Sequence, residues 1–506
     1  MFRTFFHFFS LLNLAIGLRR FGAIRSLETI ELIPDWAPKF LRICTFFVPR
    51  KKNIPDSDGE RLAAALAGMG PAYIKLGQTL ATRPDLVGRA LAEGLTTLQD
   101  RLPPFSFDKV EAIIKRELEG EISDFFDDFS KEPVAAASIA QVHKAQLKDG
   151  TSVAVKVLRP DVEKRFTRDL TLFEWLAELA DRHIREAKRL RLIEVVAKIK
   201  ETSLKEMDLR LEASAAAELE QNMQGETGYR VPHVYWDMTA RRVLTLEWVS
   251  GIRLNDKDAL IEAGHDLTEL GTRIVQIFLK QAMRDGYFHA DLHQGNLLVE
   301  DSGTIVAIDF GIMGRLSKND RRFLAEILFG FISRDYRRVA EVHFDAGYVP
   351  YGQSVEEFAQ AMRVIADPIM DLPVEKISAG KLLAQLFATT ERFSMRTQPQ
   401  LLLLQRSMVM AEGLALHLNP QTNMWEISRP VIETWMYDNL SPEIRLADAI
   451  VQIPRALERL PMKIDQLLNK ELDDHGQNPQ MPHRQSLSSF ALGLVIGAVI
   501  VKILFI

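Results

Sequence analysis

The stretch FHADLHQGNLL at residues 288–298, followed by TIVAIDFG at 304–311, decides the fold. Four residues separate Asp291 from Asn296, and Asp309 follows thirteen positions later, directly after a strand-like run. The first spacing lets one loop offer a carboxylate to a nucleophile and an amide oxygen to a metal ion. The later carboxylate can bind Mg²⁺ that bridges nucleotide phosphates. Together the two stretches predict a phosphoryl-transfer site.

A predicted β-hairpin earlier in the chain carries a lysine, Lys156, in a setting typical of nucleotide binding. The runs QVHKAQL at 141–147 and TSVAVKVL at 151–158 flank a D-G turn, which is typical of two antiparallel strands. Strand alternation sends Lys156 to the face opposite Val155 and Val157. A strand lysine is usually solvated, but the V-A-V-K setting after a hairpin is typical of the nucleotide-binding lysine of protein kinases.

An acidic pair lies on the charged segment SLKEMDLRLEAS at 203–214, within a region that predicts one or two long helices from Leu170 to Asn222. Asp208 and Glu212 are spaced i,i+4, so on one helix face they repel unless a cation neutralises them. A solvated acidic face is the alternative. Lys156 favours the paired interpretation, because a nucleotide-binding lysine needs a carboxylate on a following helix.

An alanine-rich segment, PVAAASIAQ, stands where a kinase has its glycine-rich loop. The Cβ of alanine penalises positive φ, so this loop should be stiffer and its amides should approach phosphates less freely. The loop comprises Pro133, Val134, Ala135, Ala136, Ala137, Ser138, Ile139, Ala140 and Gln141.

A rival hypothesis treats the H-x-D-x-H run as a metal cluster. His289, Asp291 and His293 alternate in an extended segment and would point the same way, as in a metallohydrolase. That hypothesis leaves Lys156 and Asp309 unexplained, and we therefore disfavour it.

Composition excludes several classes of protein. The chain has 506 residues, 63 Lys and Arg against 68 Asp and Glu, and a net charge of −5, so it has no global basic field for nucleic acid. The single cysteine, Cys44, forms no intrachain disulfide, which fits a reducing compartment. We expect Cys44 to be packed in a core.

Both ends of the chain have sequence features typical of membrane association. The last twenty residues, 487–506, contain one charge and are long enough to cross a bilayer once, although a buried core helix is an alternative. The linker 471–486 carries His483 and Arg484, which would keep the rest of the chain cytoplasmic. The aromatic and arginine-rich segment 1–27 is typical of an amphipathic membrane-interface helix, with a transit peptide as the alternative.

The remaining chain divides into three parts. We predict a helical extension at 28–120, a small β-rich lobe at 121–252 and a larger helical lobe at 253–470. The fold class is therefore α+β, with two lobes of unequal secondary structure.

The chain resembles the UbiB family of atypical kinase-like proteins, also called the ABC1/ADCK group. The resemblance covers nearly the whole chain and rests on the K-x-G-Q motif Lys75-Leu76-Gly77-Gln78, the alanine-rich loop and the E-x-D motif Glu206-Met207-Asp208. It implies an atypical protein-kinase-like two-lobe fold. It also implies that the K-x-G-Q helices cover the place where a protein substrate would enter, with Lys75 near Glu206 and Asp208.

The resemblance assigns a role to each site residue. ATP would be held by the alanine-rich loop and by Lys156, paired with Glu212. Asp291 would be the proton acceptor, and Asn296 and Asp309 the Mg²⁺ ligands. The motif residues Lys75, Gly77, Gln78, Glu206 and Asp208 would be regulatory. The adenine edge is expected at Glu247–Val249, inferred from its position after the third strand-like run.

The implied function is that of a membrane-associated ATPase or kinase required for ubiquinone biosynthesis. It would work at the bacterial inner membrane with its catalytic part in the cytoplasm. Its expected partners are membrane lipid and quinone intermediates or the ubiquinone-biosynthesis hydroxylases, and a homodimer is left open. The alternative is a pseudokinase scaffold that binds nucleotide without turnover; the intact Lys156, Asp291 and Asp309 argue against it.

Overall fold

The computed structural model describes residues 2–440, except residues 31–32, 35, 53, 99–101, 185–187, 189, 351, 371–392, 394 and 396–398. The predicted linker 471–486 and anchor 487–506 lie outside the described residues. The chain separates into one compact unit, Met1–Glu433, and a second unit, Thr434–Ile506. All the site residues proposed from the sequence belong to the first unit.

The N-terminal part is helical, as the sequence predicts. Ser57 caps the third helix by accepting from the Glu60 amide, and that helix ends at Gly70, where φ is +118° and Pro71 begins the next one. The helices are α1 Phe2–Arg20, α2 Trp36–Cys44, α3 Asp58–Met69, α4 Pro71–Ala81, α5 Pro84–Val87, α6 Arg89–Leu95, α7 Phe107–Leu118 and α8 Ile122–Phe125, with a 3₁₀ turn at Arg25–Thr29.

The small lobe is built on an antiparallel sheet. Its strands are β1 Phe126–Phe129, β2 Ala135–Ala136, β3 Ala140–Leu147, β4 Ser152–Leu158 and β6 Val243–Glu247, in the order β1-β3-β4-β6 with β2 on β3. Register pairs Lys156 with Val142 on one side and with Leu244 on the other. Val153, Val155 and Val157 are fully buried against α7, which confirms the predicted strand alternation.

Within the described residues, three helices occupy the segment where one or two were predicted: α9 Val162–His183, α10 Leu192–Glu206 and α11 Leu209–Asn222. The break falls at Met207 and Asp208. Asp208 has extended backbone angles, accepts from the Arg210 amide and so caps α11, while the Leu209 amide donates to the Arg241 carbonyl. Asp208 and Glu212 therefore do not face each other on one continuous helix, and the predicted like-charge pair is wrong.

The large lobe is mostly helical and carries the short strands that hold the loops of the site. Strands β5 Tyr229–Arg230, β7 Ile252–Arg253, β9 Leu297–Val299 and β10 Ile305–Ala307 form one sheet, and β8 Tyr287–His289 pairs with β11 Met313–Arg315. The helices are α12 Lys257–Glu262, α13 Leu267–Leu279 with a π-helical extension Lys280–Asp285, α14 Lys318–Ile332, α15 Tyr336–Asp345, α16 Val355–Met370, α17 Pro399–Leu418 and α18 Met424–Leu440. The two-lobed α+β class is thus confirmed.

Within the described residues, the segment Gln400–Leu418 of α17 is long and apolar enough to cross a membrane. Nearly half of it is buried, and Gly271 of α13 lies against Ala415. Because core helices have the same length and composition, this helix gives only weak support for a membrane anchor.

The N-terminal segment differs from expectation in two ways. Most of the segment 1–27 is helical, as α1, but one side of its second half packs against the protein, where Ala15 and Leu18 are buried. Gly17 lies against Met69 of α3, close enough that a Cβ would collide with the sulfur. The expectation that Cys44 is a core residue is wrong, because α2 ends with this side chain exposed.

The contact between α3 and α6 generates a stability prediction. A Cβ at Gly59 would lie 2.7 Å from Gly94 Cα, which is backbone and has no side chain that can move aside. We expect Gly59→Ala to lower the free energy of unfolding by about 1–3 kcal/mol. In the control, Gly413→Ala in α17, the new methyl has open space, so helix propensity should raise stability by about 0.5–1 kcal/mol. Chemical denaturation checks both; equal effects would contradict the close contact.

Candidate active site

A buried ion pair joins the small-lobe sheet to α11. Lys156 Nζ lies 2.7 Å from Glu212 Oε1 and 2.8 Å from Oε2, and both side chains are largely shielded from water. Burial favours a neutral amine, but Asp309 and Glu212 outweigh it and raise the pKa of Lys156. Burial also raises the pKa of Glu212, and Lys156 opposes that shift. The lysine therefore stays protonated and held in one position.

Asp309, on a loop of the large lobe, also lies close to the Lys156 ammonium group. Its Oδ2 lies 3.7 Å from Lys156 Nζ, and its Oδ1 accepts from the Gly311 amide at 3.0 Å. Lys156 lowers the pKa of Asp309 to about 2, so the carboxylate is ionised at neutral pH. Its side chain is 45% exposed, which leaves it accessible to a ligand.

The loop after β8 positions the other two predicted residues. Asn296 is buried, and its side-chain amide donates to the Asp291 carbonyl at 3.3 Å, which leaves the amide oxygen for a ligand. The Ile308 amide donates to the Asn296 carbonyl, so strand pairing sets Asn296 beside the segment that leads to Asp309. The structure therefore brings together the residues proposed from two separate motifs.

His289 is part of the framework and not a metal ligand. The ring is fully buried; Nε2 lies 2.6 Å from the Asp309 carbonyl oxygen, and Nδ1 accepts from the Asp291 amide at 3.2 Å. Both ring nitrogens are used, and burial lowers the pKa of His289. Within the described part of the chain, no group of three His, Cys, Asp or Glu side chains could hold a metal. The metallohydrolase alternative is therefore not supported.

Sequence reasoning missed Arg406, which comes from α17, more than a hundred residues after the loop. Its Nη2 lies 3.9 Å from Asp291 Oδ1, and His293 Nε2 lies 3.7 Å from Asp291 Oδ2. His293 Nδ1 also accepts from the Gly295 amide and caps the turn that carries Asn296. An isolated arginine in an apolar helix carries no motif, so its proximity to Asp291 could be found only from the fold.

The alanine-rich loop is fixed by its own hydrogen bonds. All of Pro133–Gln141 is described, and none of these residues has positive φ, as expected for alanine. The Arg159 guanidinium donates to the Ala137 carbonyl, and the Ala137 amide donates to Ala140. Gln141 accepts from the Phe105 amide, so its side chain serves the framework. Ser138 is fully buried, and its hydroxyl has no partner.

The predicted base-binding segment, Glu247–Val249, begins at the last residue of β6. The Glu247 amide donates to the His233 carbonyl and the Trp248 amide to Ser152, so both amides are used inside the protein. The Glu247 side chain pairs with Arg230. Base contacts in this segment remain a prediction.

The K-x-G-Q helix, α4, contacts the E-x-D segment directly. Lys75 Nζ lies 2.8 Å from Glu206 Oε2, although the two are 131 positions apart in the sequence. Asp208 caps α11 and pairs with Arg210 at 2.7 Å. A Cβ at Gly77 would lie 2.6 Å from Leu98 Cδ1 and 2.8 Å from Leu66 Cδ1, so these side chains would have to shift to accept a larger residue. Gln78 is half-buried on the same helix.

The donor set fits a magnesium nucleotide. Mg²⁺ prefers oxygen ligands, and Asp309 and Asn296 supply a carboxylate and an amide oxygen on adjacent segments. The orphaned Ser138 hydroxyl in the loop that would cover the phosphates is a polar group without a protein partner. Lys156 adds a fixed positive charge 3.7 Å from Asp309.

Comparison with family models gives two matches. The model described as the ABC1 atypical kinase-like domain matches residues 97–343, and the UbiB helical domain matches residues 362–423. The first match covers the small lobe and the site loops, and the second covers the described α16 and α17 helices in whole or part.

Curated relatives cover most of the chain. "Probable protein kinase UbiB" of Pseudomonas putida is 39% identical over 459 residues, which is 90% of this chain and 85% of the relative. The protein of the same name in Azotobacter vinelandii is 41% identical over 432 residues, 85% of this chain and 79% of the relative.

A solved structure agrees on the fold. It is that of Rv3197 from Mycobacterium tuberculosis in complex with erythromycin, which is 24% identical and superposes with a TM-score of 0.51, over 72% of this chain and 93% of that one. The structural match shows the fold alone, whereas the sequence matches also show the family. The chain belongs to the UbiB family of ABC1 atypical kinase-like proteins.

Proposed function

We propose that this protein is an ATP-dependent phosphotransferase of the atypical kinase type that hydrolyses ATP or transfers its γ-phosphate. The observation that carries the proposal is the convergence of Lys156, Glu212 and Asp309 from a strand, a helix and a loop of different lobes. Phosphoryl transfer needs mostly positioning and charge stabilisation, and this arrangement supplies both.

Each residue has a defined task in this proposal. Bound Mg²⁺·ATP would supply the transferable phosphoryl group and a cation that offsets its charge, with Asp309 and Asn296 as the residues that hold the metal. Lys156 holds phosphate oxygens, and Glu212 fixes the lysine in position. Asp291 accepts the proton of the attacking hydroxyl or water. Arg406 and His293 flank Asp291 and keep it oriented.

Hydrolysis is the reaction that the surroundings favour. The Lys75–Glu206 pair ties α4 of the helical extension to the end of α10, close to the cation, since Glu206 also acts on the Lys156 charge. If the helical extension covers the entrance for a protein substrate, water is the acceptor that still reaches the site. We propose Lys75, Gly77, Gln78, Glu206 and Asp208 as the residues of this gate.

The pathway and the compartment are also proposals. The curated relatives carry the name UbiB, which supports a role in ubiquinone biosynthesis. We propose that the protein works at the bacterial inner membrane with its site in the cytoplasm, and that it serves lipid and quinone intermediates or the hydroxylases that act on them. The apolar sequence at 487–506 supports a single anchor.

A pseudokinase scaffold is the second candidate. A scaffold that only binds nucleotide has no need of Asp291 as a proton acceptor, yet Asp291 is held by three separate contacts in the site. A measurement of ATP turnover therefore distinguishes the phosphotransferase from the scaffold.

Asp309→Asn tests for turnover. In full-length protein reconstituted in anionic vesicles, we expect Mg²⁺-dependent ATP hydrolysis to fall at least about 100-fold, because the carboxylate that holds the metal is lost. The control Asp301→Asn alters an exposed turn after β9 and should keep full activity. Phosphate release and nucleotide binding are measured together. Nucleotide binding without hydrolysis in the wild type would favour the scaffold.

Lipid profiling tests the pathway separately. In a bacterial strain whose own copy is deleted, complementation with Asp291→Asn should leave ubiquinone depleted, because the proton acceptor is lost. Complementation with Asp301→Asn should restore it. Normal ubiquinone with Asp291→Asn, at equal protein level, would contradict the pathway assignment, and it would leave the hydrolysis result untouched.

A further inference from the structure

Five large apolar side chains on one short segment are exposed to solvent. Among the described residues they form a dense group of exposed hydrophobics, between 56% and 93% exposed. We call them the α2 patch: Trp36, Phe40, Ile43, Phe46 and Phe47. Single exposed apolar residues are ordinary, but a contiguous group of this size marks a surface that is covered in use.

The patch has the geometry of one helix face. Trp36, Phe40 and Ile43 are spaced i, i+4 and i+7 and so line one side of α2. Trp36 and Phe40 pack edge to face with ring centres 6.4 Å apart, and Phe46 and Phe47 do the same at 5.5 Å. The opposite side of α2 faces the interior of the protein, where Pro38 is buried.

Basic residues outnumber acidic ones around the patch. Between the flanking Asp35 and Asp56, the chain contains Lys39, Arg42, Arg50, Lys51 and Lys52 and no Asp or Glu. Arg42 pairs with Glu28, and the other four are exposed. The surface is therefore apolar in the middle and cationic at its edge.

We propose that the α2 patch docks on an anionic lipid bilayer, with its aromatic side chains at the boundary between headgroups and acyl chains and its basic side chains on the phosphates. Trp, Phe and aliphatic side chains beside Lys and Arg are the composition of segments that lie in this boundary. A second copy of the chain fits poorly, because a two-fold contact between patches brings like charges together.

A chain of contacts links the segment that follows the patch to the helix that carries Lys75. The Lys51 amide donates to the Arg20 carbonyl at the end of α1, and the Lys51 ammonium lies 4.2 Å from the centre of the Phe21 ring. Phe21 in turn lies against Gly68 of α3, which leads through Gly70 into the helix that carries Lys75. Docking by this surface thus sets the orientation of the gate helix relative to the membrane.

The single cysteine provides the test. Cys44 is exposed within the patch, so a nitrobenzoxadiazole fluorophore on the full-length protein labels this place alone. In proteoliposomes of anionic phosphatidylglycerol, we expect blue-shifted emission, and quenching by lipids brominated near the headgroup at least threefold stronger than at a control site. The control carries the label on Lys148→Cys in a Cys44→Ser background, on the exposed β3–β4 turn.

Two variants separate the apolar from the charged contribution. With the label kept on Cys44, the triple change Trp36→Ser, Phe40→Ser and Phe47→Ser should abolish lipid quenching and leave the thermal unfolding midpoint unchanged, because these side chains are exposed. Each of Lys39→Gln, Arg50→Gln and Lys52→Gln should lower the ratio of docked to undocked protein about fivefold in anionic vesicles.

Several results would overturn the proposal. One is lipid quenching at Cys44 no stronger than at the Lys148→Cys control. Another is quenching that the triple change leaves intact. A third is a blue shift that rises with protein density and not with brominated lipid, which would make the occupant a second copy.

Discussion

The buried pair between Lys156 and Glu212 is the interaction on which the site depends. Lys156 on the inner strand β4 is largely shielded from water, so its charge is met by a carboxylate inside the protein. Removing one partner of such a pair typically costs about 3–5 kcal/mol, because the other charge is then buried alone. The pair therefore fixes how α11 lies across the sheet.

The helical segment is interrupted just before α11. The chain stops being helical at Met207 and Asp208 and restarts with Asp208 as the cap, about one turn before Glu212. The same break places Glu206 at the end of α10, where it meets Lys75. Asp309 is the third carboxylate near the cation. Two lysines, Lys156 and Lys75, thus hold acidic groups from three segments.

The sequence predicts the local parts of this arrangement well. Strand alternation correctly placed Lys156 opposite the buried valines, and the D-G turn correctly predicted the hairpin. The helix break was missed because the capping preference of Asp208 competes with a strong helical composition on either side. His289 was read as a ligand candidate, although its ring is committed to backbone partners that no sequence pattern reveals. Arg406 and the exposed Cys44 depend on tertiary packing alone.

A double-mutant cycle on Lys156→Met and Glu212→Gln tests the central claim most directly. Chemical denaturation gives the free energy of unfolding of the wild type, both single variants and the double variant. The account predicts that each single change destabilises the protein and that the double change costs less than the sum by at least about 2 kcal/mol. Additive effects would mean that the two charges do not depend on each other and would contradict it.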